Sequence, residues 1–304
     1  MLDPRIVEEV ASALATEPGL IEKEWHVVRA IGVIAKLDHR DARPVFSGGT
    51  SLSVAWRLIK RFSEDVDFKV ALPAELTYSQ ARARRRNYRE NVVMALTKSE
   101  FTLVGEPMSR NASQYFRADF AYPNQFNPPT GFRPHIRVEL NFQSPRLQAV
   151  ERSLHSLVAR GQNRDPEVAA FPCVDPVETA GDKLSALAWR VCTRNRGAED
   201  DDPTVIRHLH DLAALEQIAT NSSGFPRLVQ EAMNDDADRG GAEAPRTPAE
   251  RFALMFELLD GDRLWAEEYN QFVHDKSFAK PAEAISFAAA LDAARRLREL
   301  VNGI

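Results

Sequence analysis

Cysteine is almost absent from this chain, with Cys173 and Cys192 the two in 304 residues. One such pair cannot supply a disulfide framework for a chain of this length, and its spacing matches no zinc pattern. Long apolar runs are missing too, and no stretch reaches the roughly 20 residues that a membrane-spanning helix needs. The opening residues, 1–18, are acidic and carry no basic patch ahead of an apolar core, so no leader is expected and a reducing cytoplasm is the expected compartment. Positive charge is not in excess: 39 Lys and Arg against 44 Asp and Glu leave a net charge of −5. That balance excludes a broad basic coat for nucleic acid and leaves room for a local contact.

What is present suits two modest domains. Residues 21–37 keep helical apolar spacing through Val27, Ala30, Ile31 and Ile34. Pro44, Val45 and Phe46 form a short strand candidate, followed by paired glycines and a helical pattern that places Leu52, Ala55, Trp56 and Ile59 on one face. Residues 62–70 alternate as a strand does, and residues 116–121 and 135–142 suggest a strand pair around a Pro/Asn/Gly-rich hairpin loop. After Pro145 the strand signals fade. Asp175, Pro176 and Glu178 announce a helix, as do Asp202 and Pro203. Residues 234–248 suggest a mobile connection, Trp265, Tyr269 and Phe272 a core-facing stripe, and residues 281–303 a last helix. The expected fold class is therefore α+β, with a mixed-sheet domain over 1–150 and a helical bundle over 151–304.

Chemistry concentrates in the first half. Ser47, Gly48, Gly49, Thr50 and Ser51 lead from a strand into a helix. Glycines let a backbone approach an anion closely, N–H groups of a first helical turn point at it, and hydroxyls add donors. A capped glycine turn would look the same. Asp65 and Asp67 lie at i and i+2 in a strand-forming run, so both project from one face while Val66 and Phe68 face the other. Carboxylates at that spacing suit hard cations such as magnesium, which keep substrate phosphate oxygens in their other positions. In the alternating run 135–142, Glu139 shares a face with Arg137 and Asn141 and offers a third acidic group. Arg82, Arg85, Arg86 and Arg89 recur at i, i+3, i+4 and i+7, which makes either a solvated helix face or an RNA-backbone contact.

These landmarks, together with Glu22-Lys23-Glu24-Trp25, Arg61-Phe62-Ser63-Glu64, Lys183-Leu184-Ser185-Ala186-Leu187 and Arg207-His208-Leu209-His210-Asp211-Leu212, resemble the AbiEii-type nucleotidyltransferase toxins of the DNA polymerase β-like superfamily. The resemblance spans residues 20–215. It implies that the glycine loop holds nucleotide phosphate, that Asp65 and Asp67 bind two magnesium ions, that Lys183 contacts the triphosphate, and that Asp211 supports the site. Glu139 and Arg137 stand where the family often has an aspartate and a lysine, and Ser47 replaces a common lysine. Lys183 and Arg190 share a helix face at i and i+7, while Arg207 and Asp211 have the spacing of an ordinary surface ion pair.

The expected reaction is transfer of a nucleoside monophosphate from an NTP to RNA, with the 3′ end of tRNA as the acceptor that the resemblance implies and a cognate antitoxin as partner. A small-molecule or protein acceptor is the alternative within enzymes. Outside this chemistry stand a non-catalytic nucleotide-binding module and, last, a glycosyltransferase. A phosphate on Ser63 would add roughly −1.5 to −2 charges among cation ligands, so antitoxin-directed phosphorylation there is an expected means of control.

Overall fold

The computed structural model describes residues 2–199, 201–238 and 247–301. The chain divides into two compact units, Met1–Val174 and Asp175–Ile304.

The first unit is built on seven strands: β1 (Arg43–Ser47), β2 (Asp65–Ala71), β3 (Thr102–Arg110), β4 (Tyr115–Ala121), β5 (Ile136–Asn141), β6 (Val150–Leu154) and β7 (Val168–Cys173). They form one mixed sheet in the order β3-β4-β5-β2-β1-β7-β6. The β2–β5 and β1–β7 pairs are parallel, whereas β1–β2, β4–β5, β3–β4 and β6–β7 are antiparallel. Strict alternation in β4 and β5 buries Phe116, Ala118, Phe120, Ile136, Val138 and Leu140 on one side, where β2 adds Val66, Phe68 and Val70. These side chains share a core with Val27, Ile31 and Ile34 of helix α2 (Pro18–Ala35) and with Tyr88, Val92 and Leu96 of α4 (Tyr78–Thr97). A sheet with one face packed and the other polar is the outcome that period-2 patterning dictates.

Helix α2 is buried nearly all round and uses its acidic and basic residues as clamps. Glu22 accepts the N–H groups of Gln125 and Phe126, and Glu24 accepts that of Leu157, the first residue of the short helix α5 (Leu157–Gly161). Lys23 donates to Glu64 and to the carbonyl of Arg133, each at 2.5 Å. Buried charges persist when such partners satisfy them. Helix α1 (Pro4–Ala13) lies against α2 and α5.

Three sequence expectations are corrected in this unit. Strands continue past Pro145 as β6 and β7, so the division falls after Val174 rather than between 150 and 151. β3 went unread because Gly105 and Pro107 interrupt it; both are tolerated at a sheet edge, beside a register shift between Val104 and Met108. The helix after the glycines, α3 (Gly48–Val54), stops well short of Ile59. Arg57 takes a left-handed conformation, φ 57°, and ends it, which brings the buried Arg61 back beneath Gly49.

The second unit is helical: α6 (Pro176–Thr193), α7 (Arg207–Thr220), α8 (Phe225–Asp238), α9 (Pro248–Gly261), α10 (Leu264–Lys276) and α11 (Phe287–Glu299). Asp175 caps α6 by accepting the Val177 N–H at 2.8 Å, ahead of Pro176 in the first turn, as the sequence signal requires. Asp202-Pro203 opens a 3-10 turn, Pro203–Ile206, that leads into α7. Trp265, Tyr269 and Phe272 are buried, and the Tyr269 hydroxyl donates to the carbonyl of Ile285. The last helix starts at Phe287 behind the cap of Ser286, not near Pro281, which sits in a separate 3-10 turn. Residues 239–246 of the expected connection and the expected stop at Asn302 and Gly303 lie outside the described residues. Among the described residues no helix is long and apolar enough to cross a membrane.

Candidate active site

The polar face of the sheet carries its charges in cross-strand rows. In one, Arg117 stands opposite Glu139, Glu139 beside Asp67, and Asp67 opposite Ser47. In the next, Asp119 stands opposite Arg137 and Arg137 beside Asp65. The second row is compensated, since Arg137 forks onto Asp119 at 2.8 and 3.1 Å. Burial alone would raise the Asp119 carboxyl, but Arg137 holds it below its usual range.

The first row places two carboxylates, Asp67 and Glu139, on adjacent strands in direct register. Like charges so placed destabilise a sheet. Burial and the nearby Asp65 charge push the Glu139 carboxyl above its usual range, against the opposing pull of its hydrogen bond with Tyr115 and of Arg137 and Arg133. The Tyr115 phenol is raised in turn, first by burial and then by Glu139. Tyr115 therefore stays a neutral donor that orients Glu139.

Gly48 closes the other side of this row. Its φ of +75° favours glycine, and a Cβ there would meet Asp67 Oδ2 at 2.0 Å, so any other residue would force that carboxylate to shift. A Cβ on Gly49 would meet Arg61 Nη2 at 2.6 Å and Ser63 Oγ at 3.2 Å. Thr50 turns inward and donates to the carbonyl of Asp65, and Ser51 is buried. The hydroxyls expected to face phosphate are thus partly committed to the fold. Ser63 lies ahead of β2 rather than within it, half-buried against Gly49.

The three carboxylates are not drawn together as a ready ligand set: among the described residues no group of three or more His, Cys, Asp and Glu side chains is poised to hold a metal ion. Asp65 is engaged instead by Arg133, whose Nη2 lies 2.5 Å from its Oδ1. The donors nonetheless fit a hard divalent cation by their chemistry, as carboxylates on one face of the sheet with Asp67 and Glu139 in register on adjacent strands. Arg133 and Tyr115 escaped sequence reading, Arg133 because it sits in an irregular loop and Tyr115 because nothing local marks its partner across the sheet.

Comparison with known proteins follows this geometry. The family model described as "Nucleotidyl transferase AbiEii toxin, Type IV TA system" matches residues 35–293. The chain belongs to the AbiEii nucleotidyltransferase toxin family. No curated protein matches the sequence. Among solved structures, MenT4, a nucleotidyltransferase toxin from Mycobacterium tuberculosis H37Rv, is similar at a TM-score of 0.57 and 17% identity, over 100% of this chain and 91% of that one. That likeness is one of fold. Membership makes this AbiEii protein a nucleotidyltransferase, of a family that generally uses an NTP and a divalent metal, and implies an antitoxin partner.

In the second unit of this AbiEii toxin, the motif residues form an ion pair of a different kind. Lys183 Nζ lies 2.6 Å from Asp211 Oδ2, with both side chains buried. Asp211 is fully buried, so its spacing from Arg207 does not mark a surface pair; Arg207 reaches Asp202 at 2.8 Å, which Arg190 also approaches at 3.2 Å. Burial would raise the Asp202 carboxyl, yet Arg207 and Arg190 help bring it to about 2. His208 is held neutral, first by burial and then by the charges of Arg207, Lys183 and Arg190.

On α4 the four arginines do not line one solvated face. Arg82 and Arg86 are exposed, Arg85 is buried, and Arg89 packs over Phe116 and donates to Ser109.

Proposed function

We propose that this toxin transfers a nucleoside monophosphate from an NTP to RNA, with the 3′ end of tRNA as acceptor, in a magnesium-dependent reaction centred on Asp65, Asp67 and Glu139. The observation that carries the reading is the register of Asp67 with Glu139, closed on one side by Gly48. Carboxylates facing one side of the sheet in register on adjacent strands are the donor pattern that a cation-dependent site calls for.

Asp65, Asp67 and Glu139 would hold two magnesium ions, which when bound lower the pKa of the attacking hydroxyl and offset charge on the leaving group. Tyr115 keeps the Glu139 carboxylate in one orientation. Gly48 and Gly49 let the backbone come close to phosphate oxygens, Lys183 is assigned to the triphosphate and Asp211 to supporting the site through the family resemblance, and Arg190 joins Lys183 from the same helix face. The acceptor hydroxyl loses its proton and its oxygen bonds to the α-phosphorus. The bond from that phosphorus to the bridging oxygen breaks, and pyrophosphate leaves. Most of the acceleration then comes from positioning and charge stabilisation.

Arg82 and Arg86 are the exposed members of the proposed RNA contact, with Arg85 and Arg89 shaping the helix behind them. Ser63 is proposed as a site of inhibitory phosphorylation by the antitoxin, because a phosphate there would stand beside Gly49 and repel the triphosphate. Mass spectrometry of toxin co-expressed with its antitoxin tests this; Ser63 found always unmodified removes it.

The function itself is tested by incubating the protein with labelled NTPs, magnesium and total RNA beside Asp67→Ala. Label is expected in the tRNA fraction and absent with the variant. Label confined to protein or small molecules would overturn the RNA acceptor.

A further inference from the structure

Arg133 is fixed at its backbone and unsettled at its tip. Its N–H donates to Glu64 at 2.8 Å, and its carbonyl accepts from the buried Lys23 at 2.5 Å. Lys23 and Glu64 form an ion pair in which the side chains are only 3% and 13% exposed. The following residue is Pro134, which restricts Arg133 to extended conformations. Further back in the same loop, Gln125 and Phe126 are held by Glu22. The base of the side chain cannot wander.

The guanidinium is held differently. It meets Asp65 at 2.5 Å in a pair about a third exposed on each side, and its Nε, though buried, has no hydrogen-bond partner. Half-open ion pairs of this kind are weak and exchange readily. A buried Nε that makes no hydrogen bond, and faces Glu64 Oε2 only at 3.9 Å, is a donor whose best partner is not the one shown. Arginine also matches phosphate oxygens in a fork that a single carboxylate oxygen does not use.

We propose that Arg133 is a nucleotide ligand kept in reserve: its guanidinium neutralises Asp65 until a divalent ion takes that carboxylate, and is then handed to the phosphates of the bound NTP. The inference rests on Asp65 and Asp67 being metal ligands. It gives Arg133 two opposite effects, as a competitor of the metal and a partner of the nucleotide, which a purely structural arginine would not show.

The test uses the full-length toxin and Arg133→Gln. Manganese binding is measured by the spin-resonance signal of the free ion without nucleotide. Binding of nonhydrolysable α,β-methylene analogues of the four NTPs is then measured by calorimetry at saturating manganese. The exchange predicts manganese affinity about tenfold tighter and analogue affinity about tenfold weaker in the variant. If Arg133→Gln does not keep the wild-type melting temperature, Arg133→Lys replaces it, with a smaller gain for manganese and the same loss for the analogue. Unchanged manganese affinity, or unchanged analogue affinity, overturns the proposal. Should wild type bind manganese and Asp67→Ala not, that failure leaves the metal site standing. Should wild type bind none at all, the metal site and the exchange fall together.

Discussion

Two groups of charged residues that look alike as motifs are treated in opposite ways by this fold. On the sheet face, Asp67 and Glu139 stand in register on adjacent strands, and Glu139 is pushed toward its neutral form by burial and by Asp65. In the helical unit, Lys183 and Asp211 are buried as a matched pair. The first arrangement leaves negative charge that a cation can relieve; the second sets charge against charge inside the unit. A carboxylate's contribution to stability and its contribution to function should therefore separate cleanly between the two places.

The largest expected effect breaks the matched pair. Asp211→Ala removes the 2.6 Å partner of a buried ammonium and should destabilise the second unit by about 3–5 kcal/mol, read as a lower urea midpoint. Replacing both Lys183 and Asp211 by methionine and leucine should recover most of that loss, because the desolvation penalty then disappears with both charges. A loss under 1 kcal/mol on Asp211→Ala would mean that the pair is solvated, and the contrast would collapse.

On the sheet face the same kind of substitution should do the reverse. Asp67→Ala is expected to lower nucleotidyl transfer by at least about 10²–10³-fold. Its melting temperature should hold or rise, since one carboxylate of an acid-rich sheet face is gone. Lost activity together with a large fall in stability would show that Asp67 belongs to the framework after all. Gly48→Ala sharpens the point from the backbone side: the left-handed φ and the contact with Asp67 should together cost about 2–3 kcal/mol. The double variant Gly48→Ala with Asp67→Ala should recover the part due to the contact, measured by denaturant unfolding.

How legible this was follows from how local each feature is. The alternation of 135–142 identifies β5 and puts Glu139 on the face opposite Val138 and Leu140, because period 2 is a property of the strand alone. The i, i+2 spacing does the same for Asp65 and Asp67. The cap at Asp175 and the aromatic stripe on α10 are equally local. β6 and β7 were not readable, being short, and β7 contains two alanines and a proline in six residues. Nor was the burial of Asp211: the spacing to Arg207 suggests a surface pair, and packing of α6 against α7 buries Asp211 beside Lys183. Arg133 reaches Asp65 through a loop whose course is set by Glu22, Lys23 and Glu64, three side chains distant in sequence.

The smallest effect concerns a buried acid with neither an abutting rival nor a salt-bridge partner. Burial raises Glu24 to about 8, against the opposing influence of the Leu157 N–H and the Arg160 charge. Its folded pKa thus lies above its unfolded value, so the native state binds the extra proton between about pH 4.5 and 8. The stabilisation is complete below that window and is lost as pH rises through it, because the unfolded state then holds fewer protons than the native one. Between pH 7 and 9 the first unit should lose on the order of 1–2 kcal/mol through this group. Glu24→Gln keeps a carbonyl oxygen for the Leu157 N–H and removes the titration, so its melting temperature should stay flatter over that range. An equally steep decline in the variant would place the proton elsewhere. The contrast would then rest on the sheet face and the Lys183–Asp211 pair alone.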